Sequence, residues 1–393
     1  MQNKREYIQN LKKVKLVIGN GFDLQCGMQT KYCHFFESNE EKNEHIRTWI
    51  EKINSNLIMF LDFTRSKDND IWNNFNFKTV INVWDFFFYL VSFEKSDLLK
   101  NMNWCDIEEV MLEWFEDPKK DIVSKKKYCN WSYVYKILKG ERLLYSLDSF
   151  YILAIIINKL NDYKKFSNEI EFYNFLLKQL KKFESNFGNY ILDESNRIMV
   201  EGNYSFISVY EKSMPATQLI KKLCNINSLV SVDSFNYDFI GIEGLKPIFH
   251  NINGNISYPI FGIDSSAFLP SDPRYIFCKT NRRMELDMLE YEAYEREEFE
   301  NVIIYGHSLT VSDYSYFFSL LDKLDIVNFT KKSVIVFAYS VYDKEKEEKI
   351  KSDYRLAISN LFKEYSKYKG NSEYPNRLLD ALTTQGKVLL YEI

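Results

Sequence analysis

Histidine is scarce in this chain. There are four in 393 residues, at positions 34, 45, 250 and 307, and no two have HxxxH spacing. The six cysteines are scattered and form no CxxC pair, so neither residue type supplies a zinc constellation. Scattered cysteines behind an N-terminus with no apolar signal segment (MQNKREYIQNLKK) read as reduced thiols in a cytosol. There is no excess of positive charge either: 51 Lys and Arg stand against 55 Asp and Glu, and the net charge of −4 speaks against non-specific nucleic-acid binding. The longest apolar core, Phe150–Ile157, falls short of the roughly 20 residues that span a bilayer, so no membrane partner is expected. Two nucleotide motifs are missing. There is no Walker A loop, and Leu24 stands where a dinucleotide fingerprint needs its third glycine. The GHSLT run at 306–310 lacks the second glycine of a nucleophile elbow, which excludes a serine hydrolase built on it.

What is present is enough apolar and aromatic material (46% and 17%) for a large core. Short β-branched runs at 15–18, 228–234, 247–252, 258–262, 301–305, 333–338 and 387–392 predict strands. Helical spacing of apolar residues marks 81–93, 106–115, 143–160 and 170–187, with an acidic helix at 284–300 and a charged amphipathic one at 342–365. The fold class that follows is α/β: a Rossmann-like parallel sheet with a large, mostly helical insertion after the first strand. The division is 1–30 (first strand and Gly-rich loop), 31–220 (insertion) and 221–393 (remainder of the sheet domain).

Five strand ends turn polar where an open α/β sheet holds its ligands. They are KLVIGNGFD (15–23), VDSFNYD (232–238), PIFHNINGN (247–255), YPIFGID (258–264) and NVIIYGHS (301–308), and all five are expected to line one crevice. Gly19 and Gly21 can bring backbone N–H groups near a phosphate, or simply form a tight turn, with Asn20, Phe22 and Asp23 beside them. Asn236 and Asp238 alternate out of their strand end. The amide can hold a ribose hydroxyl or a water and the acid can take a proton, or both can act as local turn caps. His250 precedes the Asn253–Gly254 cluster, Gly306 allows close approach beside His307 and Ser308, and Asp313 can cap the next helix.

GNGFDL (19–24), WCDIEE (104–109), SFNYD (234–238), NINGN (251–255), FGID (261–264), FCKT (277–280) and IYGHSLTVSD (304–313) together resemble the bacteriophage abortive-infection AbiH family. The resemblance implies a phage-defence role and a distant sirtuin-like NAD-binding fold. It implies NAD or a related nucleotide as ligand or substrate, with no cofactor required. In that pattern Gly19, Asn20, Gly21 and Asp23 line the pyrophosphate and ribose. Asn236 is the catalytic amide beside Asp238, and Gly306, Ser308 and Asp313 hold the adenosine half. The pattern's His-Gly element reads Asn253-Gly254 here, so either His250 supplies the imidazole or the chain lacks it. The expectation is a cytoplasmic effector that hydrolyses the N-glycosidic bond, with a phage-derived or host protein as trigger and a homo-oligomer as one arrangement. The alternatives are a non-catalytic nucleotide or protein-interaction module, and a nuclease toxin using Asp23, Asp238 and Asp313 to hold Mg²⁺.

Overall fold

A computed structural model describes residues 4–55, 81–94, 104–116, 130–141, 148–200, 216–238, 248–285, 298–327, 332–341, 344–370 and 377–393. The chain divides into two compact units. One comprises Met1–Thr30, Gly188–Ile260 and Arg283–Ile393; the other comprises Lys31–Phe187 and Phe261–Arg282. The second unit thus begins at Lys31, where the insertion was expected to begin. It also takes in a later segment, and the described residues 188–200 and 216–220 belong to the first unit.

The first unit is built on a six-stranded sheet of β1 (Val14–Ile18), β2 (Leu229–Ser234), β3 (Ile248–Asn251), β6 (Asn301–Tyr305), β7 (Ile335–Tyr339) and β8 (Val388–Glu392). All five pairings are parallel, in the order β3-β2-β1-β6-β7-β8. This is the doubly wound order with its switch point between β1 and β6. The strands read as continuous apolar runs because both faces are covered. Alternation along them divides the core in two. Val17, Ile304, Ile335 and Phe337 pack with the helices Tyr314–Lys323, Glu347–Tyr368 and Arg377–Thr384. Leu16, Ile18, Ile303 and Val336 pack with Ile8, Phe22, Leu219 and Leu223 from the other side.

One expected strand does not join the sheet. Tyr258–Pro259 (β5) pairs antiparallel with Gly254–Asn255 (β4) in a two-stranded hairpin. Gly254 has φ +81°, and a Cβ there would lie 2.0 Å from the Tyr258 carbonyl oxygen, so the chain doubles back too tightly to continue a crossover. Pro259 also lacks the N–H that a further ladder would need. Four of the five polar strand ends therefore share the carboxyl edge of the sheet. The helix expected at 284–300 falls mostly outside the described residues. The one expected at 342–365 is observed as Glu347–Tyr368.

The second unit is helical, with an aromatic core. Trp131 packs at 5.4 Å from Trp84 and 5.3 Å from Trp114 between ring centroids, and Phe115 lies 4.3 Å from Phe277. Two buried ion pairs tie the Phe261–Arg282 segment to these helices: Lys279 Nζ to Glu108 at 2.8 Å and Arg282 to Glu184 at 2.8 Å. WCDIEE and FCKT thus meet through Glu108 and Lys279, which explains both charges by packing. Among the described residues, no helix is long and apolar enough to cross a membrane.

At the switch point the chain fills its own crevice. The Gly19 amide donates to the Tyr305 carbonyl at 3.0 Å and the Gly21 amide to the Gly306 carbonyl at 2.9 Å. A Cβ on Gly21 would lie 2.7 Å from Gly306 Cα, and one on Gly306, whose φ is +69°, would lie 2.6 Å from the Phe22 nitrogen. Gly306→Ala is expected to cost about 3 kcal/mol or more, combining left-handed strain with overpacking against backbone. Urea unfolding measures it, and a loss below about 1 kcal/mol would mean that this contact yields easily.

Candidate functional site

β1 ends at Ile18 and the helix Asn20–Gln25 starts at once, with Gly19 as its extended N-cap. This abrupt turn places Asp23 one helical turn past the strand end, buried at 3% exposure. β2 ends beside it at Ser234, whose Oγ accepts the Asn236 amide at 3.1 Å and bends the chain back toward β1. The Asn236 side chain then spans the two strand ends. Its Nδ2 donates to Asp23 Oδ1 at 2.6 Å and to the Gly19 carbonyl at 3.2 Å. With both amide hydrogens spent, the group Asn236 still offers is its Oδ1 acceptor.

Asp238 completes the group, 6% exposed, with Oδ1 buried and without a hydrogen-bond partner. Burial pushes its carboxyl up to about 6, against a stabilising bond from its own amide. Asp23 is pushed well above the carboxylate range, by burial first and by the Asp238 charge second, while the Asn236 amide pulls the other way. With both carboxyls dry and the Asp238 charge acting on Asp23, ionising both together is disfavoured. The Cys26 thiol is raised by burial and then by the charges of both acids, so it is no nucleophile. Asn20 faces a neighbouring bond, with its Oδ1 accepting from the Thr30 hydroxyl at 2.5 Å.

No family model, curated protein or solved structure matches this chain. The site is therefore read from its own geometry.

The remaining residues singled out in the sequence fall into other groups. His250 faces Asp233, its register partner across β2 and β3, with Nδ1 3.0 Å from Oδ1. Asp233 also takes both oxygens' worth of Lys15 Nζ at 2.9 Å and the Tyr316 hydroxyl at 2.5 Å. His307 accepts the Leu309 amide at Nδ1 (2.9 Å), which leaves the proton on Nε2, 3.4 Å from Asp313 Oδ2. Leu309 sits at φ +55°, a strained conformation for a branched side chain, and the His307 bond helps to hold it there. Phe235 packs edge-on between the two groups, 4.2 Å from His307 and 4.9 Å from Tyr316. Asn253 accepts from Arg283 at 3.1 Å, Gly254 opens the first strand of the hairpin at positive φ, and Ser308 is exposed. Phe22 is core, edge-on to Tyr305.

The structure thus brings together Asp23, Asn236 and Asp238 with Gly19. It sets His250 with Asp233, and His307 with Asp313. Reading the sequence missed Lys15, Asp233 and Tyr316. The signal was there: a lysine inside KLVI and an aspartate inside VSVDS are opposite charges in two strands that otherwise read as buried.

Proposed function

We propose that the protein hydrolyses the N-glycosidic bond of NAD or a related nucleotide, at the edge where β1 and β2 end. The observation that carries this reading is buried Asp23, held by the Asn236 amide and raised by the charge of buried Asp238. Cleavage of a ribosyl–nitrogen bond passes through an oxocarbenium-like ribose and needs a base for the attacking water. The C1′–N bond breaks with its electron pair going to the leaving base. Water forms the new C1′–O bond and gives its proton to the carboxyl pair. The single negative charge of the pair, stripped of solvent, steadies the positive charge that develops on the sugar until the water's proton neutralises it. Asn236 holds Asp23 in place and turns Oδ1 toward the ligand.

The likeness of the seven motifs to the AbiH family supports a cytoplasmic phage-defence role. In that role the activity waits for a phage-derived or host protein trigger, and a homo-oligomer is one form of the active state. A binding module without turnover is favoured by one observation: His250 is engaged with Asp233, and the position before Gly254 holds Asn253 on Arg283. Release of nicotinamide from NAD by the purified protein, with and without phage lysate, separates the two. Asn236→Ala is expected to lower the rate about a hundredfold or more. Unchanged NAD under every condition, with NAD bound, would leave the binding module standing.

A further inference from the structure

We infer that Tyr190, Glu194 and Arg197 form a clasp on the turn that follows Asp23, and so act as positioning residues for that carboxyl. The inference rests on the reading above for what Asp23 does, and it adds the residues that fix Asp23 in place.

The short helix Asn20–Gln25 closes in a glycine turn. Cys26 is its C-cap and Gly27 follows at φ +90°. The chain then doubles back. The Gly27 amide donates to the Leu24 carbonyl at 3.1 Å, and the Met28 amide donates to the Asp23 carbonyl at 3.0 Å. The backbone of Asp23 is thus tied to the loop behind it. A helix of six residues has little stability of its own, so whatever holds that loop also holds Asp23. The loop lies beside both acids: the Cys26 thiol is raised by burial and then by the charges of Asp23 and Asp238.

The hold comes from the helix Glu169–Val200, whose part from Gly188 onward belongs to the same unit as the loop. Tyr190, Glu194 and Arg197 stand at i, i+4 and i+7, which is one face of that helix. Each meets a backbone group of the loop. The Tyr190 hydroxyl donates to the Gln29 carbonyl at 2.5 Å, and the Gln29 amide donates to Glu194 Oε2 at 3.1 Å. Arg197 Nη2 donates to the Gly27 carbonyl at 3.3 Å and to Glu194 Oε2 at 2.6 Å, which steadies the carboxylate. Gln29 itself is exposed, so the loop is gripped there through its peptide groups and not by burying that side chain. A bond from an amide to a carboxylate is among the stronger ones available for this purpose.

The test follows iodoacetamide labelling of Cys26 in the full-length protein by peptide mass spectrometry. Cys224, 1% exposed in the sheet core, is the control for global unfolding. Glu194→Ala is expected to label at Cys26 about tenfold faster or more, with Cys224 unchanged. Glu194→Gln keeps an oxygen for the Gln29 amide and loses the charge that pairs with Arg197, so its labelling is expected to stay within about threefold of the wild type. Where nicotinamide is released from NAD, Glu194→Ala is expected to lower kcat about tenfold to a hundredfold with KM within about threefold, because Glu194 acts through Asp23. Unchanged Cys26 labelling in Glu194→Ala overturns the clasp whatever the activity. Equal acceleration in the Ala and Gln variants makes the Arg197 ion pair the whole role of Glu194, and overturns it too. Faster labelling with kcat unchanged overturns the positioning of Asp23. If Cys224 labels along with Cys26, the fold has been lost, and Tyr190→Phe decides, since it removes one bond to Gln29 and keeps the ring: faster labelling of Cys26 alone supports the clasp and unchanged labelling overturns it. A wild type that releases no nicotinamide, while Glu194→Ala still speeds Cys26 alone, sinks the cleavage reading and leaves the clasp on the Asp23 turn standing.

Discussion

Replacing Lys15 by methionine is expected to remove about 3–5 kcal/mol of stability, because it leaves a buried charge uncompensated. Lys15 and Asp233 are 1% and 0% exposed, within adjacent central strands. The register sets Val17 opposite Asp233, so Lys15, two residues earlier on the same face, reaches along the strand to it. Burial alone would push the Asp233 carboxyl up. The His250 bond, the Lys15 charge and the Tyr316 hydroxyl together outweigh that and hold it below its ordinary value. Methionine keeps the volume and removes the cation, leaving the carboxylate to His250 and Tyr316. The sign with pH follows: a carboxyl lowered by folding stabilises above its unfolded value near 3.8 and loses that contribution as pH falls below it. Wild-type stability is therefore expected to drop on acidification below about pH 4, and the Lys15→Met penalty to be largest at neutral pH. Urea unfolding at pH 7 and pH 4 measures both. A penalty under about 1 kcal/mol at pH 7 would mean that Asp233 simply takes up a proton when Lys15 goes.

The parallel sheet was legible from its apolar runs, since strands covered on both faces lose the alternation that would otherwise betray a solvent side. β6 is found at the residues expected, and the others within a residue or two. Tyr258–Asp264 misled because an apolar run bounded by turns looks alike in a sheet and in a hairpin; only the φ of Gly254 and the missing N–H of Pro259 decide, and neither shows in periodicity. The site was half legible. Asp23, Asn236 and Asp238 stand out as polar groups at strand ends, but which strands are neighbours depends on topology, and it was the adjacency of β1 and β2 that joined them. The glycines were legible as close approaches. What approaches them was not, and it is the protein's own β6 loop. His250 and His307 looked equivalent as lone imidazoles; register gives one an aspartate across the sheet, and a strained turn gives the other an amide and Asp313.

Asp238→Asn separates a catalytic role from a structural one, because it should harm turnover while helping the fold. Asparagine keeps the shape and cannot take a proton, so nicotinamide release is expected to fall about 10²–10⁴-fold. The fold should respond oppositely. The carboxyl is pushed up to about 6 in the folded protein against an ordinary 3.8. The folded state therefore binds the proton more tightly than the unfolded chain. Stability is greatest below about pH 4, declines as pH rises toward 6, and at pH 8 carries the whole cost of an ionised buried acid, about 3 kcal/mol at roughly 1.4 kcal/mol per pH unit. Asparagine removes that cost and also the Asp238 charge that raises Asp23. Its Nδ2 brings two donors where the ionised carboxylate has none. The variant should therefore melt above the wild type at pH 8, approach it near pH 4.5, and show a flatter stability profile between. Thermal melts of both proteins across that range give the answer. A variant less stable than the wild type at pH 8 would show that Asp238 is ionised and well solvated there, and that burial does not raise its carboxyl. Stabilisation without loss of turnover would leave the pair intact as a strained feature of the fold and move the chemistry to Asp23, the one carboxyl of the pair already in the grip of Asn236.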